Sequence, residues 1–599
     1  MKVFKRVVCA VLAVAVLMTG VGCSRTATAY GSARGYDGKI SLCARRTDEG
    51  FALTIEKSEE TVGIGSTALE LLVRQINEKQ CLDVDVVSGA TVTSDAAVEA
   101  AKEALRKVGY DEEELMYSST INDITDKSLY CDVLVIGAGG AGLTAAIAAA
   151  EKGVKVIVVE KMGIPGGSTA RSDGKIMAAG TPIQKYNIIN DSSAGLASFL
   201  YTYAGENVES ARLLDMAANS ASNLDMLTTH GVRFSNVLLS AYEGQEPKRI
   251  HLISDGKDTG GGYLIEPLVR AAEANGVEIY YNTEAFTLMS SATNVVLGAR
   301  ARRSSGGVLS IYATSTIIAT GGYDKNAELL SELAAVDAEN VVSLTANGNT
   351  GDGISLAREV GANILNGAPI ATLYDYVGDT NGEYKGILVN ANGARFANET
   401  DEGFLLSGGL YASGSNQAYY ITDRHGSHGG WDDEIEAGRI LQADTVALLG
   451  SKLGAPELVL TVTSYNAMCR LGEDSIFGRP AKHMRELKDG PFYAVPYSAL
   501  TYGTTGGIET NLSCAVLDEY GIIEGLYAAG EVANGVYFDY RYPGFGVSLA
   551  QAIETGRISG TRAADDALAL NDAKAAAAIE AEKPPIERPY TLYPIKHYY

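Results

Sequence analysis

The apolar and polar positions of this chain fall into a few strongly patterned stretches. An apolar run from Val7 to Val21 follows Lys2, Lys5 and Arg6. A cationic start, a short apolar core and small residues after it predict a secretory signal over 1–22, too short for a comfortable membrane span. Residues 24–36 are rich in Ser, Thr, Ala and Gly and predict a tether leading into a strand. Leu69 to Gln80 repeats with helical period, with Leu71, Leu72 and Ile76 on the inner face. A second helix is predicted from Asp95 to Val108, with Ser94 as its cap. Val133-Leu134-Val135-Ile136 reads as a buried strand, Leu143 to Ala150 as an Ala-rich helix, and Val154 to Val159 as the next strand. That order predicts a parallel βαβ unit.

Composition narrows the classes. With 599 residues the chain holds several domains. Its 67 glycines against 14 prolines suit Gly-rich turns in an α/β enzyme better than disorder. A net charge of −24 argues against a nucleic-acid partner and a broad anionic-lipid surface. None of the seven cysteines forms a C-x-x-C pair, which argues against a thiolate zinc site or a c-type haem. His425 and His428 are the one close histidine pair, and no third metal ligand accompanies them. Gly22-Cys23-Ser24 resembles a lipobox, although Gly20 stands where leucine is usual. The expectation is an extracytoplasmic bacterial lipoprotein with its lipid on Cys23.

The βαβ unit carries chemistry. Gly137, Gly139 and Gly142 stand at G-x-G-x-x-G spacing between strand and helix, and Glu160 closes the second strand. The glycines permit a tight turn, close approach of a pyrophosphate and helix packing, while the acid suits the adenosine ribose. Further Gly turns favour FAD over a nicotinamide: Gly166-Gly167-Ser168-Thr169-Ala170, Thr320-Gly321-Gly322, Thr350-Gly351-Asp352-Gly353 and Gly525 to Glu531. Candidate FAD contacts are therefore Gly167, Ser168, Thr169, Gly322, Asp352 and Glu531.

Two family resemblances follow from these residues. Asp85 to Ser94, with Ser88-Gly89-Ala90-Thr91 at its centre, resembles FMN-binding domains modified by a dedicated flavin transferase, and Gly63-Ile64-Gly65-Ser66 fits the same family. The resemblance implies FMN held covalently, as a phosphoester on Thr91. From about Asp132 to Ala564 the order of Gly turns resembles the fumarate reductase/succinate dehydrogenase flavoprotein superfamily, especially flavocytochrome-type fumarate reductases. That implies Glu531 on the ribityl chain, Ser548 and Leu549 at the pyrimidine edge of the flavin, and a capping domain bearing Arg395-Phe396-Ala397-Asn398-Glu399.

The pattern breaks where fumarate chemistry resides. The proton-donating arginine of fumarate reductases falls at Gly403, the early-cap His-Pro pair near Thr372-Leu373, and the second histidine at Gly503. These departures argue against fumarate as substrate. Arg541 aligns with the carboxylate-clamping arginine. Tyr542-Pro543-Gly544-Phe545-Gly546 resembles the Y-P-G-x-G segment of 3-ketosteroid dehydrogenases, which implies that the Tyr542 hydroxyl and the Gly546 amide polarise a substrate carbonyl. With the arginine donor gone, Tyr374, Tyr376 and Tyr502 are the candidate proton donors, and urocanate reductases, which place a tyrosine near the missing histidine, favour the first two.

The expected architecture is α/β: a small α/β FMN-binding domain, then a Rossmann-like FAD domain with an inserted α+β cap. The divisions are signal 1–22, lipidated Cys and tether 23–36, FMN domain 37–110, an acidic linker 111–130, FAD domain 131–362 and 501–570, cap 363–500, and tail 571–599. The expected activity is reduction of an α,β-unsaturated carboxylate or enone, with electrons passing from a membrane-bound donor through FMN to FAD. Two alternatives stand beside it: a ketosteroid-type dehydrogenase, and a flavin electron carrier without catalysis.

Overall fold

The computed structural model describes residues 28–582, apart from 48–49, 85, 88, 112–114, 116–124, 206–207, 243–244, 376–384, 402 and 428–429, and without the side chains of 374, 375, 572 and 574–582. The signal and Cys23, Asp85, Ser88, Tyr376, Glu402, His428 and the tail from Pro584 lie outside the described residues. The chain divides into two compact units, the first made of residues up to 124 together with 162–166.

In the first unit three antiparallel strands, Thr28–Arg34, Lys39–Thr47 and Gly50–Ser58, form one sheet. Helices Gly65–Lys79 and Thr91–Lys107 cover it. The core joins Ile40, Leu42 and Leu53 of the sheet to Leu69, Leu72 and Ile76 of one helix and Ala97, Ala101 and Leu105 of the other. Two expectations need correction. Residues 28–34, expected as tether, are a strand in register with Lys39–Arg45. Their small side chains reflect close packing: a Cβ on Gly31 would lie 2.0 Å from the Ala100 carbonyl oxygen. Ser94 does not cap its helix, which begins at Thr91 after Ala90. Its hydroxyl donates back to the Ala90 carbonyl (2.9 Å) and accepts from the Val87 amide (3.1 Å), tying the attachment loop to the first turn.

The second unit is built on an eight-stranded sheet. Val308–Ile318, Lys127–Ile136 and Val156–Val159 run parallel side by side, with Glu278–Tyr280 parallel at the edge; Val133 to Ile136 and Val156–Val159 are buried and read as continuous Val, Ile and Leu. Helix Gly140–Ala150 crosses from Lys127–Ile136 to Val156–Val159. A 36-residue helix, Val547–Glu582, lies along it and runs on through 570. The two backbones touch. A Cβ on Gly556 would stand 2.4 Å from the Ala141 carbonyl oxygen, and one on Gly560 2.1 Å from that of Ala145.

A second sheet of six strands forms the cap. Its axis is the 13-residue strand Phe492–Thr504, which pairs with Pro369–Asp375, Ala418–Asp423, Leu441–Ala443 and Val341–Ser343. The division expected at 500 therefore falls inside this strand, and Val341–Ser343 joins the sheet from before residue 363. The Arg395-to-Glu399 segment makes a buried ion cluster. Arg395 holds Glu399 through Nε (2.9 Å) and Nη2 (2.7 Å) and reaches Asp474 (2.9 Å), while Arg479 reaches Glu399 (3.1 Å) and the Gly386 carbonyl (2.7 Å). Beside it, burial and then the Glu399 charge push the Asp401 carboxyl up to about 6.

Two measurable consequences follow. Gly to Ala inside a helix ordinarily stabilises by about 1 kcal/mol. At Gly560 the contact with Ala145 backbone outweighs that gain, so Gly560→Ala is expected to destabilise by about 1–3 kcal/mol in thermal unfolding of the FAD-loaded protein. A higher Tm would refute the backbone contact. Asp401 has its folded pKa raised, so the native state binds the extra proton and wild-type stability rises as pH falls from above 6 toward 4. Asp401→Asn is expected to stabilise by about 1 kcal/mol at pH 7.5, discounted for the group's partial exposure, with the gap closing by pH 4. A pH-independent gap would exclude this linkage.

Candidate functional site

The first turn is shaped for a dinucleotide. Gly137 adopts φ +108°, and a Cβ there would lie 2.4 Å from the Ala319 carbonyl oxygen. One on Gly142 would lie 2.0 Å from the Gly137 oxygen. Neither position accepts another residue without moving backbone. Gly139 is extended and N-caps helix Gly140–Ala150, whose leading amides and positive dipole end suit a pyrophosphate. Glu160, at the end of Val156–Val159, accepts the Ala138 amide through Oε2 (2.8 Å). Gly167 opens a short helix at φ +50°; Thr169 Oγ1 accepts the Gly140 amide (3.3 Å) and Ser168 Oγ accepts that of Ala346 (3.2 Å). Asp352 takes Lys161 Nζ at 2.5 Å and the Thr350 hydroxyl at 2.7 Å. Thr320 Oγ1 is buried without a partner, above Gly353, where a Cβ would come within 2.2 Å of it. A bare Gly cradle with an orphaned hydroxyl fits FAD, which these residues would hold along its length.

The first unit likewise fits FMN. Thr91 is exposed at the head of its helix, just after Gly89 at φ +91°. Beneath it the Thr93 hydroxyl donates to buried Glu60 (2.6 Å), whose other oxygen has no partner.

At the other end of the FAD cradle stands Glu531. It accepts the Thr504 amide (2.8 Å), the Thr504 hydroxyl (3.2 Å) and Asn349 Nδ2 (3.2 Å). Burial and then the Asp324 charge push its carboxyl up to about 7 against those hydrogen bonds. A Cβ on Gly322 would lie 2.0 Å from its Oε1, so the Gly321-Gly322 turn and the carboxylate share one space. Asp324 accepts four side-chain donors: Ser343, Thr345, Asn349 and Thr501, at 2.7–2.9 Å. Neither Asp324 nor Asn349 was legible as functional in the sequence.

The cap closes the site from strand Phe492–Thr504. A Cβ on Gly503 would lie 2.7 Å from Glu531 Oε1, so the position aligned with the family's second histidine faces Glu531. Ile370 pairs with Gly503 and Ala371 with Thr501, which leaves Tyr502 as a bulge residue, 40% exposed. Its hydroxyl lies 3.4 Å from Thr372 Oγ1. Gly403, where the family has its arginine, adopts φ +52°, and a Cβ there would meet Thr372 Cγ2 at 3.7 Å. Two of the altered family positions, Gly403 and Thr372, therefore meet, and Tyr502 joins them in place of position 503. Tyr374 pairs through its backbone with Ser498, and its side chain, like all of Tyr376, lies outside the described residues.

Phe404 joins this corner to the last turn of the FAD domain. Its ring meets Tyr502 edge-on at 5.7 Å, Tyr542 at 4.8 Å and Phe545 at 4.9 Å. It follows Gly403 directly and passes in sequence for an ordinary core residue. Tyr542 is buried, and its hydroxyl accepts the Ser548 amide (2.7 Å). Burial pushes that phenol up to about 12, so it stays protonated and keeps its own proton to donate. The Ser548 amide is thus held by Tyr542, and Leu549 beside it is buried. Gly546, at φ +84°, accepts the Met177 amide (3.0 Å), and a Cβ there would strike the backbone at Ile176 and Met177. Arg541 is exposed, and no carboxylate among the described residues pairs with its guanidinium. Its backbone is fixed by Asp539 Oδ1 (2.9 Å), and Thr505 Oγ1 holds the Asp539 carbonyl (2.6 Å).

Comparison with known proteins agrees with this geometry. Residues 132–549 match the FAD binding domain family and residues 35–106 the FMN-binding domain family. The urocanate reductase of Eggerthella lenta is 28% identical over 89% of this chain and 91% of its own. The NADH:fumarate oxidoreductase of Klebsiella pneumoniae is 30% identical over 83% of this chain, which spans about half (54%) of that protein. Among solved structures, the 3-ketosteroid-Δ4-(5α)-dehydrogenase of Rhodococcus jostii RHA1 is 26% identical with a TM-score of 0.57, covering 74% of this chain and 99% of that one. An open flavocytochrome c3 fumarate reductase gives 26% and 0.53, covering 82% and 86%. The chain belongs to the FAD-binding flavoprotein family of fumarate reductase-like oxidoreductases, with an FMN-binding domain ahead of its FAD domain.

Proposed function

We propose that the protein is an extracytoplasmic, lipid-anchored reductase of an activated C=C bond, in which electrons from a membrane-bound donor pass through FMN on Thr91 to FAD. The observation that carries this reading is Arg541, exposed and without a carboxylate partner among the described residues, beside a Tyr542 hydroxyl already polarised by the Ser548 amide. The planar guanidinium suits a substrate carboxylate. Tyr542 donates to the conjugated oxygen where negative charge builds up, and it remains neutral at working pH. Bound FAD, once reduced, supplies hydride to one alkene carbon.

The charge of the corner narrows the substrate. A dicarboxylate such as fumarate needs a second cation, and neither Gly403 nor Thr372 provides one. Lys175 lies over the Phe545 ring but is paired with Asp173 (2.8 Å). The site therefore suits one carboxylate with an apolar or aromatic remainder facing Phe404 and Tyr502. The similar urocanate, acrylate and vinyl phenol reductases support a C=C reductase. A second reading, oxidation of a cyclic ketone, draws on the Tyr542 arrangement and the ketosteroid dehydrogenase likeness.

Anaerobic reoxidation of reduced viologen by a panel of monocarboxylic enoates, including aryl acrylates, and of cyclic enones tests the choice. Turnover with enoates is expected, and Arg541→Ala should lower kcat/KM for them about 10²–10³-fold while leaving neutral enones nearly unchanged. Turnover with enones alone would overturn the clamp, and turnover with neither would favour oxidation or electron carriage. For the relay, Thr91→Ala should keep viologen-driven turnover and lose membrane-driven turnover. Equal membrane-driven rates would show that FMN is bypassed.

A further inference from the structure

We infer that Tyr502 is the proton donor of this reduction, with Thr372 holding its hydroxyl. The inference rests on the reductase reading and supplies the acid that Gly403 cannot. Three observations lead to it. Position 503 is directed into Glu531, so no side chain there can serve. The bulge between Ile370 and Ala371 places Tyr502 outside the regular ladder, 40% exposed at the substrate corner. Its hydroxyl has Thr372 Oγ1 at 3.4 Å, a loose contact of the kind that tightens when substrate binds.

Two phenols flank Phe404, and their surroundings divide the work between them. Tyr542 is buried at 6% exposure with its oxygen engaged by Ser548, so a tyrosinate there would be slow to recover a proton. Tyr502 is open to water and can be reprotonated on every cycle. Tyr542 thus polarises and Tyr502 protonates. In the step itself the O–H bond of Tyr502 breaks and a C–H bond forms at the alkene carbon that did not receive hydride. The phenolate then takes a proton from water, directly or across the Thr372 hydroxyl. Both electrons come from reduced FAD, which is left oxidised, so the alkene gains one hydride and one proton.

The test uses full-length, FAD-loaded protein and the best unsaturated acid of the viologen panel. Tyr502→Phe is expected to lower kcat by about 10²–10⁴-fold with KM and FAD content unchanged. Thr372→Val should slow turnover about tenfold and Thr372→Ser should restore it, a rescue that a purely packing role would not give. A Tyr502→Phe rate within about threefold of wild type, with FAD retained, would overturn the assignment. Should that variant lose FAD, the Thr372 pair decides: slowing and rescue support the role, and wild-type rates for both overturn it. Failure of the wild-type protein to reduce any enoate or enone would sink the reductase reading itself, which separates the two failures.

Discussion

The backbone contact between helices Gly140–Ala150 and Val547–Glu582 sets the geometry on which the rest of the second unit depends. Gly556 and Gly560, one turn apart, lie on the carbonyls of Ala141 and Ala145, and no side chain fits between them. The helix that receives the dinucleotide and the helix that ends the FAD domain are therefore locked at van der Waals distance, more than 400 residues apart in sequence. The N-terminus of the later helix is fixed by that contact, and with it the turn bearing Tyr542, Gly546 and Ser548. Packing of this kind transmits small changes, because interiors are close-packed and do not absorb an added methyl group.

A second constraint aligns the cap with the cofactor. Burying Asp324 and Glu531 close together is unfavourable unless both are hydrogen-bonded, and the structure meets that condition from both layers. Thr501 and Thr504 come from the long cap strand and Ser343 from the short strand paired with it, while Thr345 and Asn349 come from the loop that leads back to the FAD side. The network pins the end of strand Phe492–Thr504 in one register. Register matters here because a one-residue slip would exchange Tyr502 for a neighbour on the opposite face. The bulge and the carboxylates together decide which residue of the strand end is exposed.

The parts of this molecule that were legible in its sequence are those dictated by local backbone chemistry. Gly137 and Gly142 announce their turn because no other residue can occupy it, and continuous Val-Leu-Val-Ile announces a covered strand. Leu71, Leu72 and Ile76 reveal their buried face by period alone. What failed to show depends on partners far away in sequence. Thr28–Arg34 has the composition of a linker because a helix backbone lies against it, and only the tertiary contact tells the two apart. Ser94 has the right identity for a cap and the wrong position. Gly503 aligns with a functional histidine, yet a bulge opposite Ile370 and Ala371 transfers the exposed role to Tyr502. No one-dimensional pattern reports a bulge of that kind, nor that Phe404 joins two tyrosines which are forty residues apart.

On the reading proposed above, the altered corner replaces the arginine and both histidines with neutral groups. Those three groups serve a dianion: they bind two carboxylates and deliver a proton from a cationic acid. Here the acid proposed is neutral, and the clamp is a single guanidinium. A neutral donor places no extra positive charge beside the alkene, so most of the stabilisation of developing charge must come from Tyr542 and the Ser548 amide behind it. That amide belongs to the first turn of the last helix, where the helix dipole adds to its pull. The chemistry of the cap and the packing of the FAD domain therefore meet in one hydrogen bond, between Ser548 and Tyr542. The glycine seam that fixes the helix also fixes that bond, and on the proposed reading it thereby sets how strongly the substrate is polarised.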